Sequence, residues 1–288
     1  NEVINMLFQW YPGHMTKTKR MMQENIKLID VVIELVDARV PLSSKNPDID
    51  QIAGSKPRII LINKYDLADP NHTREWEEYY KNKGFYTSLL NSKQAKEVDK
   101  VKNLIFEACK ERIERNKRRG MINKPIRAMI VGIPNVGKST FINSIAKKAS
   151  AKTGNKPGVT KGKQWIRINK DIELLDTPGI LWPKFEDQTV GLRLALIGSI
   201  KDEILQSYEL AIRLIEFLKD KYPSYLEKRY EISLEGSEEI ILEDIARRRG
   251  CVIKGGELDL DKAANLLLDE FRNGKLGRIT LELPEGQD

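Results

Sequence analysis

The sequence predicts an α/β fold, a doubly wound and mostly parallel sheet over residues 1–185, followed over residues 186–288 by a small all-helical domain. Three observations carry this expectation. Short apolar, β-branched runs alternate with helical patterns through the first part of the chain. Some of these runs, such as Ile59–Ile62 and Ala128–Val131, are apolar throughout, which suits strands covered on both faces. After residue 185 the strand-like runs stop, and apolar residues recur at i, i+3, i+4 spacing.

In chain order, strands are expected at 30–38 (DVVIELVDA), 58–63 (RIILIN), 85–90 (FYTSLL), 126–132 (IRAMIVG), 164–168 (QWIRI) and 171–176 (DIELLD). Helical patterns fall between them at 14–28, 72–83, 94–118 and 138–148. In the second part, DEILQSYELAIRLIEFLKDKY and DLDKAANLLLDEFRNGK read as amphipathic helices. There is no internal repeat. The basic run KERIERNKRRGMINKPIR (110–127) joins the two halves of the sheet and is expected to be exposed.

The 288 residues are 40% hydrophobic, enough for two modest cores. No apolar run approaches the roughly 18 residues a membrane span needs, and no signal-peptide pattern opens the sequence, so a cytoplasmic protein without membrane contact is expected. Cys109 and Cys251 match no metal spacing and are expected to stay reduced. Charge is divided unevenly. Residues 1–185 carry 34 basic against 20 acidic residues and residues 186–288 carry 15 against 22, which together make up the chain's 49 and 42. A basic first part suits a polyanionic partner such as nucleic acid, or simply a solvated basic surface.

GIPNVGKST (132–140) has the G-x-x-x-x-G-K-[ST] spacing, after an expected strand and before an expected helix. Its segment Pro134, Asn135, Val136, Gly137, Lys138, Ser139 and Thr140 would wrap a phosphate chain with backbone N–H groups. Lys138 would reach the β/γ oxygens, and the Ser139 hydroxyl would bind Mg²⁺. DTPG (176–179) alone carries little weight, since about one D-x-x-G is expected by chance in a chain of this length. Its place at the end of a strand lets Asp176 hold the Mg²⁺ shell and the Gly179 N–H meet a γ-phosphate. Between the two, KPGVTKG offers Thr160, a hydroxyl that would close on the metal; the plainer reading is a turn residue.

NKYD (63–66) ends the strand RIILI. Asp66 would accept both the N1–H and the exocyclic amine of guanine, a donor pair adenine lacks. Lys64 would lie over the base, Asn63 would tie this loop to the phosphate loop, and Tyr65 lies between them. Asn91, Ser92 and Lys93, at the end of the next strand, would line the base from the other side. Every one of these motifs sits at the carboxyl end of an expected strand, where open α/β sheets bind ligands. The sum is a GTP/GDP site, and hence a P-loop GTPase fold.

The order of the motifs is unusual: base loop, NSK, phosphate loop, Thr160, DTPG. The usual order puts the phosphate loop first, so the sheet reads as circularly permuted, with residues 94–127 closing the old termini. This order, together with WYPGHM, DARVPLSSKNP (37–47), GIPNVGKST and RRGCVIKGGELDLDKAANLLLDEFRNGKLGRITLE, closely resembles the circularly permuted GTPases of the ribosome biogenesis GTPase A family over nearly the whole sequence. The resemblance implies a factor that hydrolyses GTP and acts late in assembling the large (50S) ribosomal subunit. Its partners would be ribosomal RNA and the large-subunit precursor, with the protein monomeric off the ribosome. Because the chain runs from DTPG directly into the helical domain, ordering of that switch by a γ-phosphate would pull on the domain.

Where many GTPases place a water-orienting glutamine after D-x-x-G, this sequence has Ile180, which has no side-chain hydrogen-bonding group. His14 begins the helix before the first strand, and a crossover helix starts at the carboxyl edge, so His14 reaches the rim of the site by topology. The resemblance adds that the P-G-H-M histidine is the family's proposed catalytic group. The alternative is that Pro12-Gly13-His14 only starts the helix. The resemblance also implies that Asn135 helps bind K⁺, a fixed charge that would offset the absence of an arginine finger; otherwise it is a loop residue of no special role. Arg247, Arg248 and Arg249, with Lys254, are the concentrated basic patch of the second part, either an RNA contact or a solvated helix end. A GTP-dependent binding module acting on a protein partner stands as the alternative function.

Overall fold

A computed structural model of the chain describes residues 13–121, 124–153, 164–182, 185, 187–200 and 207–284, with only the backbone described at 13, 14, 95, 98, 147–153 and 164. Six strands form one sheet: β1 (Val31–Asp37), β2 (Arg58–Asn63), β3 (Tyr86–Leu90), β4 (Ile126–Gly132), β5 (Gln164–Arg167) and β6 (Ile172–Asp176). Their spatial order is β3-β2-β1-β4-β6-β5, and every neighbouring pair is parallel except the antiparallel edge pair β5/β6. The chain steps outward from β1 to β3, crosses back to β4, then skips to the far edge at β5 and turns back to β6. The strand order thus reverses between β1 and β4, where such sheets open a crevice. Register aligns Asp37 with Asn63, Asn63 with Leu90, Leu35 with Gly132 and Ile130 with Asp176, so five strand ends share one edge.

Strand β1 is buried at every residue, Glu34 and Asp37 included. Burial pushes the Glu34 carboxyl up against the pull of Arg58 and Lys45, and the Arg58 guanidinium meets it at 2.5 Å. Helix α1 (Gly13–Asn25) buries Met15, Thr18, Met22 and Asn25, the i+3/i+4 stripe of a helix with one buried face. After β1 the chain makes a short helix, α2 (Asp48–Ala53), that the apolar pattern does not announce. Helix α3 (Pro70–Asn82) starts two residues before the expected 72, because Asp69 accepts the Asn71 N–H and Pro70 fits the first turn. Its Trp76 and Tyr80 pack on Val36, Ile60 and Ile62.

The helix expected over 94–118 is two, α4 (Ala95–Ala108) and α5 (Lys110–Arg118), divided at the buried Cys109. Helix α4 turns Val101 and Ile105 inward, whereas α5 is nearly all charged and is tied down by the Arg112–Asp30 ion pair at 2.5 Å. Helix α6 (Lys138–Thr153) follows β4.

Two compact units result, one from residues up to 186 together with the chain's end from Thr280, the other Asp187–Ile279. The second is helical: α7 (Gln188–Leu196), α8 (Ser207–Lys221), α9 (Pro223–Tyr230), α10 (Glu238–Arg249) and α11 (Leu260–Arg272). Leu210, Leu214 and Leu218 of α8 and Ala263, Leu267 and Phe271 of α11 fill its core. The expected boundary, which kept 186–288 together, is corrected at its far end. Leu281 N–H bonds the Arg39 carbonyl at 2.8 Å, and the Trp76 indole N–H bonds the Glu282 carbonyl at 3.0 Å. The Glu282 carboxylate accepts from the Leu42 and Ser43 N–H groups and the Ser43 hydroxyl. These bonds, made to the loop after β1 and to Trp76 of α3, hold the tail to the sheet unit. Among the described residues no helix is long and apolar enough to cross a membrane.

Candidate functional site

Strand β4 ends at Gly132 beside Leu35 of β1, at the reversal of strand order. The chain then curls through Ile133–Gly137 and opens α6 at Lys138. Asn135 (φ 61°) and Gly137 (φ 97°) are left-handed, which folds the loop back over the helix start. At Gly137 a side chain is excluded twice: by that φ, and because a Cβ there would lie 2.3 Å from Asn63 Nδ2. The unpaired N–H groups and dipole of the first turn of α6 favour an anion.

In front of this loop lies a cleft of about 590 Å³ whose walls include Lys64, Asn135, Lys138, Ser139, Asp176 and Gly179. That volume suits a nucleotide-sized ligand. Ser139 and Thr140 are exposed, whereas Lys138 is nearly buried and pairs with Asp176 at 2.6 Å. Thr177 donates to the Ile130 carbonyl at 2.6 Å, pinning the start of DTPG. Gly179 closes on the phosphate loop, since a Cβ there would be 3.0 Å from the Pro134 nitrogen. Ile180 is 1% exposed. Its N–H donates to the Gly132 carbonyl at 3.2 Å and its carbonyl accepts from the Asn46 amide at 3.3 Å, so its side chain is turned out of the solvent.

The base loop is fastened to this assembly. The Asn63 amide donates to the Val136 carbonyl at 2.8 Å, and its oxygen accepts the Ser92 N–H at 3.1 Å. Lys64, itself left-handed (φ 61°), donates from Nζ to the Asn135 carbonyl at 2.7 Å. Tyr65 and Asp66 form a single 3₁₀ turn, with Asp66 exposed. Asn91 and Ser92 are buried, Lys93 is exposed, and Ser144 of α6 donates to the Ser92 carbonyl at 2.7 Å. The structure therefore brings together 63–66, 91–93, 134–140, 176 and 179.

The backbone of His14 is in the first turn of α1, and its side chain lies outside the described residues, as does the whole of Thr160. Arg247 pairs with Glu243 and Asp244, and Arg249 bonds the Arg229 carbonyl while stacking on Tyr230, so only Arg248 and Lys254 of that patch are uncommitted solvent-facing cations.

Sequence reasoning passed over several residues that shape the site. Glu97 on α4 accepts the Tyr65 hydroxyl and the Asn91 N–H, both at 2.6 Å, joining the two base-side loops. A lone glutamate in a helix's first turn gave no signal. Asn46 holds Ile180 from the loop after β1. Asp37 stood within the quoted DARVPLSSKNP without a role, although a charged residue at the end of an apolar strand was a visible anomaly.

The family profile described as "50S ribosome-binding GTPase" matches residues 127–242. The match begins at β4 and leaves Asn63–Asp66 outside it, as the changed motif order requires. The chain is 50% identical over 282 residues to a Bacillus cereus protein named ribosome biogenesis GTPase A, covering 97% of this chain and 95% of that one. A Thermotoga maritima protein of the same name is 33% identical over 96% of this chain and 94% of its own. The solved structure titled "Crystal structure of GNP-bound YlqF from T. maritima" superposes with a TM-score of 0.65 at 29% identity, covering 93% of this chain and 99% of that one.

Proposed function

This chain belongs to the ribosome biogenesis GTPase A family, and from that premise we propose that it acts late in assembling the large ribosomal subunit, docks on ribosomal RNA of the precursor particle, and is stimulated there. It is a GTPase of ribosome biogenesis and binds guanine nucleotide. The finer assignment adds that it works in the cytoplasm as a monomer off the ribosome, with Arg248 and Lys254 of the helical unit among its RNA contacts.

In this reading Asp66 accepts the two guanine donors, and its exposed carboxylate is free to do so. Lys64 covers the base, held to the phosphate loop by Asn135. The N–H groups from Gly137 onward and Lys138 take the phosphates, with Lys138 exchanging its Asp176 partner for them. Ser139 and Asp176 are hard oxygen donors in one cleft, and among the described residues no cluster of three His, Cys, Asp or Glu could hold a metal alone. That donor set fits Mg²⁺, which is usually bound through one or two protein oxygens and the substrate phosphates, with Thr160 as a further oxygen. When bound, Mg²⁺ supplies neutralising charge to the transferring phosphoryl group. Asn135, exposed at the rim, would help hold K⁺. Because Ile180 is buried, orienting the attacking water falls to another group, and His14 is assigned that task.

The observation that supports this reading most is that the base loop and the phosphate loop are hydrogen-bonded into one wall of a cleft that Asp176 also lines. The test is the GTPase rate with and without purified large-subunit precursor, with particle binding measured over a salt series. A rise of about tenfold or more, and binding that weakens steeply with salt, are expected. An unchanged rate with salt-insensitive binding would replace the RNA partner with a protein one.

A further inference from the structure

The Lys64 ammonium is held by two groups. Besides the Asn135 carbonyl it pairs with Asp37 Oδ2 at 3.1 Å. Asp37 is the last residue of β1, fully buried, beside Asn63 in the register. Its Oδ1 accepts the Arg39 backbone N–H at 3.1 Å and Nε at 2.9 Å, and its Oδ2 accepts Arg39 Nη2 at 2.8 Å as well as facing Lys64. Its own N–H donates to Ser44 Oγ at 2.8 Å. Burial alone would raise this carboxyl, but Arg39 and then Lys64 outweigh it and hold it far below the usual carboxylate range.

A buried anion of this kind is costly unless its geometry is fully matched. One bidentate arginine already neutralises Asp37, so fastening the strand end to its own loop accounts for Arg39 and leaves Lys64 over. What Lys64 gains is direction. A lysine chain has four rotatable bonds and a flexible point charge. Tied at its tip between Asp37 and a phosphate-loop carbonyl, it becomes a fixed rod across the cleft wall.

We propose that Asp37 is a positioning residue of the guanine-nucleotide site: it holds the Lys64 ammonium against the Asn135 carbonyl, so that the alkyl chain of Lys64 is a preformed platform for the purine. The proposal rests on the reading of the cleft given above and adds to it a residue from a strand that bears none of the nucleotide motifs. Arg39 fixes Asp37 in turn, and the ordering of Lys64 is completed before the ligand arrives, which removes that entropy cost from binding.

A double-mutant cycle with fluorescent GDP tests this. Lys64→Met is expected to weaken GDP binding about tenfold or more, and Asp37→Asn, which keeps the size and an acceptor for Arg39, to weaken it comparably. In the Lys64→Met background, Asp37→Asn should add less than about twofold. Unchanged affinity in Lys64→Met would overturn the reading of the cleft itself. A normal loss in Lys64→Met with wild-type affinity in Asp37→Asn, or losses that multiply in the double variant, would overturn the positioning role and leave the cleft intact. Should Asp37→Asn fail to fold, ¹⁵N spectra of the wild-type lysine ammonium groups decide instead. A slowly exchanging ammonium signal, assigned by its loss in Lys64→Met and present without nucleotide, is expected; its absence refutes the proposal.

Discussion

The Asn63 side-chain amide donates to the Val136 carbonyl at 2.8 Å across 73 residues of sequence, and its oxygen takes the Ser92 N–H. Base-side and phosphate-side loops are thereby one mechanical piece. Asn63→Ala should weaken GDP binding about tenfold or more, since it leaves two buried backbone groups unpaired at about 1–3 kcal/mol each. Fluorescent-nucleotide titration reads the loss; an unaltered dissociation constant would show that the loops are held together by something else.

In the proposed site the exposed carboxylate of Asp66 is the group that reads guanine. Asp66→Asn should weaken GTP binding by about 100-fold and raise affinity for the xanthine nucleotide, whose 2-oxo group suits an amide donor. Competition titrations with both nucleotides make the comparison, and an unchanged preference removes Asp66 from the base site.

His14→Ala should lower turnover at saturating GTP by about 100-fold or more while leaving nucleotide affinity nearly intact, the signature of a group acting on the transition state. The loss should be greatest on the ribosomal particle. If His14 only starts α1, the variant will melt at lower temperature and retain its stimulated rate.

Much of this arrangement was legible because each nucleotide motif is local: a few residues at a strand end, readable from spacing. Sheet class was legible for the same reason, through runs such as Ile59–Ile62. Apart from Asn63, whose tie to the phosphate loop was expected, the residues that organise the motifs were not. Glu97 reaches Tyr65 over 32 residues, and Glu282 reaches Leu42 over 240. Such partners share no pattern in the sequence, because only the folded topology brings them together. The division at Cys109 was hidden too, since α4 and α5 are both good helical sequences, differing only in that α4 packs apolar residues inward and α5 is anchored by the Arg112–Asp30 pair.

Asn135, left-handed and exposed at the rim of the cleft, is the proposed K⁺ ligand. Hydrolysis should be faster in K⁺ than in Na⁺ at equal ionic strength, and Asn135→Ala should abolish the difference. Equal wild-type rates in the two salts would take the ion out of the mechanism.

Burial, with Asp30 adding to it, pushes the Cys109 thiol from its ordinary 9.0 up to about 12. The folded chain therefore holds this proton more tightly than the unfolded one. Stability linked to it is complete below about pH 9 and is lost as pH rises toward 12. Urea unfolding at pH 8, 10 and 11 should show the wild type losing more stability across that span than Cys109→Ala; a steeper loss in the variant would contradict the assignment.

The return of Thr280–Glu282 to the sheet unit makes the helical unit an insertion rather than an appendage. A fragment ending at residue 186 would strip the acceptor from the Trp76 indole, the Leu42, Ser43 and Asp69 N–H groups and the Ser43 hydroxyl, all donors on the unit it was meant to isolate. An excised GTPase unit should instead splice residue 186 to 280 through a flexible linker, keeping the tail in place. The same geometry gives the helical unit two covalent tethers. A displacement of it on a ribosomal surface would load both the segment after DTPG and the tail on the Arg39 loop, and through Asp37 that loop adjoins Lys64.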